Sequence, residues 1–370
     1  MRAVPPRVAI LPPVPVPYRE PLFRALAERG RVLPHVIYLA ASQPGWDQPI
    51  GWFSEAEGYG SEILSAWQRR RAGRSPITVP KGIGQALSRA RPDCIVTWEY
   101  GPATLRVLAW ARRRRVPVLV FSELTPWSDE ALSALQRRVH RLIAPRVAGL
   151  IVASSQGAER VRALGVSPDR VEVALQSADL ASLRPESAPD GPVRILFVGR
   201  LVPDKNLAGL IAAFAEAGFE DGEAELEIRG TGPLEAELRA QAARTGAAVR
   251  LPGPAAPGEL GSVYANAHVL GLVSTYEPFG VTLREAAAAG LPLIASRRVG
   301  AVGDFAVDGE NAIVVDPDDR GQITEALRRL VREPELRERL AAGSRAVTER
   351  HPLVADVEAW ERAVARVANR

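Results

Sequence analysis

Only one of the 370 residues is cysteine, Cys94. That excludes an intrachain disulfide and a thiolate-built zinc site. The four histidines, His35, His140, His268 and His351, are scattered without ligand spacing, so no histidine metal centre is expected. No run of about 18 apolar residues occurs, so no membrane-spanning helix is expected. The opening MRAVPPRVAILPPVPVP is too rich in proline for the apolar core of a signal peptide and reads as a core strand. A cytoplasmic location follows as the expectation. Lysine is also scarce: Lys81 and Lys205 stand against 45 arginines. A lysine kept in such a background suits a role for a compact, flexible ammonium. Chance retention is enough for Lys81.

What is present describes a globular chain. Hydrophobic residues make up 46% and charged residues 24%, which excludes disorder as the main state. At about 150 residues per domain, the length implies two domains. Charge is uneven. Residues 1–186 carry 26 Lys and Arg against 16 Asp and Glu, and residues 187–370 carry 21 against 27. Basic clusters lie at Arg69–Arg71 with Arg74, at Arg112–Arg115, and at Arg137, Arg138 and Arg141, and six of the seven tryptophans share that half. An anionic partner such as a membrane surface or a phosphorylated lipid fits this half, and solvated helix faces in an arginine-biased sequence fit it too. No nucleic-acid motif accompanies the runs, so nucleic acid is not an expected partner.

Short apolar runs alternate with amphipathic stretches, the pattern of strand–helix units and parallel sheets. In the first half strands are expected at 8–11, 35–40, 94–98, 116–121 and 149–154, with helices at 20–30, 82–91, 102–114, 129–145 and 156–164. The poorly patterned stretch 43–78 reads as a long loop. PESAPDGP at 185–192 reads as a linker. The alternation then restarts, with strands at 193–199, 225–230, 248–251, 269–273, 291–296 and 312–315. Helices are expected at 207–217, 233–245, 258–267, 281–289, 320–332, 335–350 and 355–369. The fold class is therefore α/β, two doubly wound domains with a ligand cleft between them. The expected domains are 1–187, joined by 352–370, and 188–351.

Three segments carry candidate chemistry. In TYEPFGVTLREAAAAGLPLIAS, 275–296, a loop with Glu277, Phe279 and Gly280 leads into a helix near Val281. The backbone N–H groups of Gly280, Val281 and Thr282 lack intrahelical partners and form an anion site. Glu277 and Glu285 suit the hydroxyls of a ribose or sugar. A helix-capping Glu277 and a surface Glu285 are the alternative. In ILFVGRLVPDKN, 195–206, Gly199 ends a strand, and Arg200 and Lys205 follow in one loop. A guanidinium and an ammonium so placed suit a diphosphate, or are simply exposed cations. In IRGTGPLEAEL, 228–238, Gly230 and Gly232 allow backbone close to a ligand, or form an ordinary strand–helix turn.

In this order the segments, with VDGENAIVVDPDD at 307–319, resemble glycosyltransferase family 4, the nucleotide-sugar-dependent enzymes of the GT-B fold. The resemblance implies that Arg200 and Lys205 bind the donor diphosphate and that Glu285 binds the ribose. It further implies that Glu277, Phe279, Gly280, Val281 and Thr282 hold the donor sugar and phosphate. Segments 17–32, 98–123 and 149–179 resemble the family's acceptor-side domain, and 355–369 its final helix, which crosses back to that domain. Two departures stand out. PPVPVPYR at 12–19 replaces a glycine-rich first loop, and Ser122-Glu123 replaces a His-Glu pair.

The implied reaction is sugar transfer with retention at the anomeric carbon, without a metal or cofactor, from a UDP- or GDP-sugar. Arg200, Lys205 and the helix N-terminus would meet the leaving diphosphate's charge. The expected hinges of domain closure are 185–192 and 351–354. Tyr18, Arg19, Glu99, Tyr100, Ser122, Glu123 and Trp127 are acceptor-side candidates at strand ends or loops, where aromatics often serve packing instead. The acceptor class is a glycan or lipid-linked molecule, with the enzyme on an anionic membrane face. A nucleotide-sugar epimerase and a catalytically silent binding protein are the alternatives.

Overall fold

Strands buried on both faces need helices on both sides, and the apolar runs of this chain are covered in that way. The structure is a computed structural model, and it describes residues 4–42, 58–71, 74–178, 180, 183 and 190–368. Its contacts divide the chain into two compact units. Unit 1 takes residues up to Ala178 together with Pro352 onward, and unit 2 the residues between them. The expected boundary at 187 therefore falls earlier, after Ala178.

Unit 1 holds a seven-stranded parallel sheet. Its strands are β1 (Arg7–Leu11), β2 (Leu33–Tyr38), β3 (Gly60–Ile63), β6 (Cys94–Trp98), β7 (Val118–Ser122), β8 (Gly149–Val152) and β9 (Val171–Val173), in the order β3-β2-β1-β6-β7-β8-β9. Between β3 and β6 lies an antiparallel ribbon of β4 (Ala66–Arg71) and β5 (Arg74–Pro80). Every residue of β6, β7 and β8 is buried. The helices are α1 (Glu20–Arg29), α2 (Ile83–Ala90), α3 (Pro102–Arg114), α4 (Ser128–Ala131), α5 (Ala134–Ile143) and α6 (Ser155–Ala163).

Unit 2 holds a six-stranded sheet of order β12-β11-β10-β13-β14-β15. It comprises β10 (Val193–Val198), β11 (Ala224–Arg229), β12 (Val249–Gly253), β13 (Val269–Leu272), β14 (Leu293–Ser296) and β15 (Ala312–Val315), all parallel. Around it run α7 (Leu207–Ala217), α8 (Glu235–Thr245), α9 (Leu260–Ala265), α10 (Val281–Ala288), α11 (Arg320–Arg332) and α12 (Pro334–Arg350). The last helix, α13 (Leu353–Ala368), belongs to unit 1 and packs on α1, β6, β8 and β9. Among the described residues no helix is long and apolar enough to cross a membrane.

Several expectations need correction. The stretch read as a loop at 43–78 contributes an edge strand and a ribbon. Its strand β3, GSEI, is short, polar and at the sheet edge, so it carries no apolar period. Residues 43–57 of that stretch lie outside the described residues. The helix expected at 129–145 breaks at Leu132, because Ser133 and Gln136 form a capping box that starts α5 afresh. Strand β9 was not expected at all; it is three residues long. The linker 185–192 is described only from residue 190.

Unit 1 is closed by α13. Trp360 is buried against Phe23, Trp98 and Phe121, with ring centroids 6.4, 6.3 and 5.6 Å away. Asp356 accepts a 2.8 Å hydrogen bond from the Leu175 N–H, and Arg29 reaches both Glu358 and Glu361. Replacing Trp360 with alanine empties the centre of this cluster. The expected loss is about 3–5 kcal/mol of unit 1 stability. Urea unfolding checks it, and a loss below about 1 kcal/mol would show that the cluster does not hold the helix.

Candidate functional site

In unit 2 the strand order reverses between β10 and β13, and ligands of open α/β sheets bind beyond the carboxyl ends at such a switch point. The loops that leave β10, β11 and β13 meet there. Gly199 and Gly230 take φ of 155° and 150°, and a Cβ on Gly230 would lie 1.8 Å from the Gly199 carbonyl oxygen. Only glycine permits that approach. A Cβ on Gly232 would lie 2.5 Å from the Leu201 carbonyl oxygen. The Leu201 N–H in turn donates to the Thr231 carbonyl at 2.9 Å. Both glycines of the GTG turn thus serve a tight backbone contact between the first two loops.

The loop after β13 is tied to the loop after β10. The Thr275 N–H donates to the Asp204 carbonyl at 2.9 Å. The Lys205 ammonium meets the Glu277 carboxylate, with side-chain exposures of only 13% and 16%. Burial first, and then the Arg200 guanidinium, push Lys205 down to about 7, while Asp204 pulls the other way. Arg200 itself is exposed. The segment therefore holds a nearly enclosed ammonium beside an accessible guanidinium, an arrangement that an anion would stabilise.

Helix α10 starts at Gly280, which has φ of 90° and no side-chain cap. Its first turn has no acidic residue, so its N–H groups are left to a ligand or solvent. Glu277 is thus not the cap of this helix. Phe279 is buried and packs edge-on to Phe305, while Val281 and Thr282 are half-buried. Glu285 accepts a 2.7 Å hydrogen bond from the buried Tyr264 hydroxyl, and burial pushes its carboxyl up. It is not a free surface residue.

The sequence reading missed the segment that holds this loop in shape. The Gly300 N–H donates to the Glu277 carbonyl at 3.0 Å and the Ala301 N–H to the Phe279 carbonyl at 2.8 Å. A Cβ on Gly300 would lie 1.9 Å from the Pro278 carbonyl oxygen. The one available signal was Gly300 itself, in the run RRVGAVG.

The acceptor-side candidates gather separately, at the carboxyl ends of β6 and β7 and in the loop after β1. Arg19 is buried, pairs with Glu123 at 2.8 Å and stacks over Trp98 with its guanidinium carbon 4.7 Å from the ring centroid. The Tyr18 carbonyl accepts from the Ser177 hydroxyl at 2.6 Å. Glu99 has φ of 53° without being glycine or a helix cap, and one carboxyl oxygen accepts from the Ser122 hydroxyl at 2.8 Å. Its other oxygen accepts from the Glu123 N–H at 2.6 Å. Burial pushes the Glu99 carboxyl up to about 7. Strain of this kind in a non-glycine residue is common at functional sites. Tyr100 is a packing residue stacked on His140, and Trp127 heads the short helix α4.

Two family models cover nearly the whole chain. Residues 180–347 match glycosyl transferases group 1, and residues 15–174 match a glycosyl transferase 4-like domain. The chain belongs to the group 1 glycosyltransferases. The chain is 30% identical over 225 residues to the D-inositol 3-phosphate glycosyltransferase of Nocardioides sp., covering 53% of this chain and 49% of the relative. It is 33% identical over 167 residues to the glycogen synthase of Mycobacterium tuberculosis, covering 45% and 39%. The chain thus matches about half the length, or less, of these curated relatives. Among solved structures it is similar to Anabaena HepE in complex with UDP and glucose. The TM-score is 0.77 at 17% identity, over 97% of this chain and 99% of the other. The fold of the chain is GT-B.

Among the described residues no three His, Cys, Asp or Glu side chains converge as a metal site. The depressed Lys205 has a measurable consequence. Its charged form dominates below about 7 and is lost above it, so affinity for a nucleoside diphosphate probe falls as pH rises through 7. Lys205→Arg keeps its charge over that range and flattens the profile. Calorimetric titration of both proteins checks this, and parallel profiles would remove Lys205 from the binding site.

Proposed function

We propose that this chain transfers a sugar from a nucleoside diphosphate sugar, a UDP- or GDP-sugar, to a hydroxyl of a glycan or lipid-linked acceptor. The observation that carries the reading is the Lys205 ammonium, enclosed against Glu277 beside an uncapped, acid-free α10 N-terminus at the unit 2 switch point. Cation, bare N–H groups and glycine-lined turns together form a diphosphate site. HepE, with the same fold, is described in complex with UDP and glucose, and that supports a nucleotide-sugar donor.

In the proposed reaction the bond between the anomeric carbon and the diphosphate oxygen breaks as the acceptor oxygen bonds to the same face. The acceptor proton passes to the leaving phosphate oxygen, and configuration is retained. Arg200, Lys205 and the N–H groups at Gly280, Val281 and Thr282 meet the charge that builds on that diphosphate, so the protein's own donors supply the compensation. Gly199, Gly230 and Gly232 bring backbone close to the nucleotide, and Glu285, oriented by Tyr264, binds the ribose. Glu277 positions Lys205 and the donor sugar. Phe279 fixes the loop from below. On unit 1, Tyr18, Arg19, Tyr100 and Glu123 belong to the acceptor side. Arg19 and Glu123 bond each other, and Tyr100 acts through packing. The proposed setting is the cytoplasm, on an anionic membrane face.

Thermal-shift binding against UDP, GDP, ADP and TDP, followed by release of nucleotide from the matching sugar donor, tests the reading. A selective shift is expected, lost in Lys205→Ala. Turnover is expected to drop roughly 10²–10³-fold in Lys205→Ala and in Arg200→Ala. A flat panel with near-normal turnover in both variants would overturn it. Donor conversion without acceptor would point to an epimerase.

A further inference from the structure

The basic run at the end of α3 has no part in the reaction above. Three arginines in the last turn of a helix complement its dipole, and that accounts for Arg112, Arg113 and Arg114 as residue types. It does not account for Arg106, two turns earlier, nor for what lies between α2 and α3. There the surface forms a groove of about 720 Å³. One wall is Arg106, Trp110 and Arg114, which share a face of α3 at spacings of four. The other is the start of α2, with Gly82, Gly84, Ser88 and Arg89.

Every charged residue lining the groove is an arginine. Among the described residues no carboxylate pairs with Arg106 or Arg114, and Arg89 has Glu62 on one side at 2.5 Å. The arginines are also held in place. Arg106 donates to the Pro80 carbonyl at 2.8 Å. The Arg114 guanidinium carbon lies 4.4 Å from the centre of the Trp110 ring, a cation–π contact that holds it beside the groove. The indole Nε1 of Trp110 is buried and has no hydrogen-bond partner. Gly84 lets α2 pack closely on the indole: a Cβ there would lie 3.2 Å from Trp110 Cδ1. An anion between the walls would meet charge from both helices.

We propose that the groove between α2 and α3 of unit 1 is a phosphate-ester site, with Arg106, Arg114 and Arg89 as its cations and the Trp110 ring as the surface against which Arg114 is held. The ligand is a phosphomonoester or pyrophosphate group, carried on a soluble molecule or on a lipid headgroup. The site is separate from the unit 2 residues assigned to the donor, and it stands whether or not that assignment holds.

The test removes the donor-site cations first. In an Arg200→Ala/Lys205→Ala background, inorganic pyrophosphate is titrated calorimetrically at low salt. Binding is expected to persist, and to weaken by roughly tenfold or more on adding Arg106→Gln and Arg114→Gln. Arg114→Glu alone, an exposed change with the Arg106–Pro80 bond intact, is expected to do the same. Co-sedimentation with phosphatidylcholine vesicles containing about one fifth phosphatidic acid separates the sources. Binding lost in Arg114→Glu assigns a lipid headgroup, and pyrophosphate binding without vesicle binding assigns a soluble ester. Absence of pyrophosphate binding in the background, or equal binding in all variants with unchanged melting temperature, would overturn the proposal.

Discussion

The geometry of unit 2's site depends on one constraint, the contact of the loop after β10 with the loop after β13. The Thr275–Asp204 backbone bond and the Lys205–Glu277 ion pair join them. With these in place, an ammonium that would otherwise reach into water is held inside the protein. Its charge is then poorly solvated, which makes it responsive to an incoming anion. Glu277 is the local counter-charge, so any anion that engages Lys205 competes with a carboxylate already there. The second constraint is steric. The paired turns at Gly199 and Gly230 leave no room for side chains between the first two strands' ends, and backbone is what the ligand face presents.

Much of this was legible in the residues because it rests on residue type. The two glycines of the GTG turn and the glycine before α10 each mark a place where a side chain does not fit, and the scarcity of lysine singles out Lys205. The buried parallel strands were legible for a related reason: continuous apolar runs between breakers have few other homes. What escaped the reading depends on partners far away in sequence. The Tyr264–Glu285 bond joins α9 to α10, and nothing around Tyr264 announces it. The clamp of Val299–Ala301 on the Glu277–Phe279 loop runs through main-chain atoms, so its only trace is Gly300. Strand β3 and the ribbon escaped because edge pairing asks little of side chains. The left-handed Glu99 escaped because glutamate does not signal such a backbone.

The basic half of the chain separates on inspection into residues with different roles. Arg19 is enclosed and bound to Glu123. Arg160 is enclosed and bound to Asp129 and His140. Arg137 is spent on the carbonyls of Asp129 and Leu132. Of the cluster near residue 70, only Arg69 has a described side chain. Among the described residues of these clusters, positive charge without a carboxylate partner is left on α3 and, at the exposed Arg138 and Arg141, on α5.

Unit 1 is assembled from segments that precede and follow unit 2, and this sets an order of events during synthesis. Unit 2 is continuous and is complete once His351 has left the ribosome. Unit 1 begins first but finishes last. Until α13 emerges, Phe23, Trp98 and Phe121 lack the indole that fills the space between them, and Glu361 is not yet there for Arg29. For the whole time that unit 2 is being made, the nascent N-terminal sheet carries an uncovered aromatic patch. A chain that stalls within α13 thus releases a finished unit 2 joined to a unit 1 with its core open.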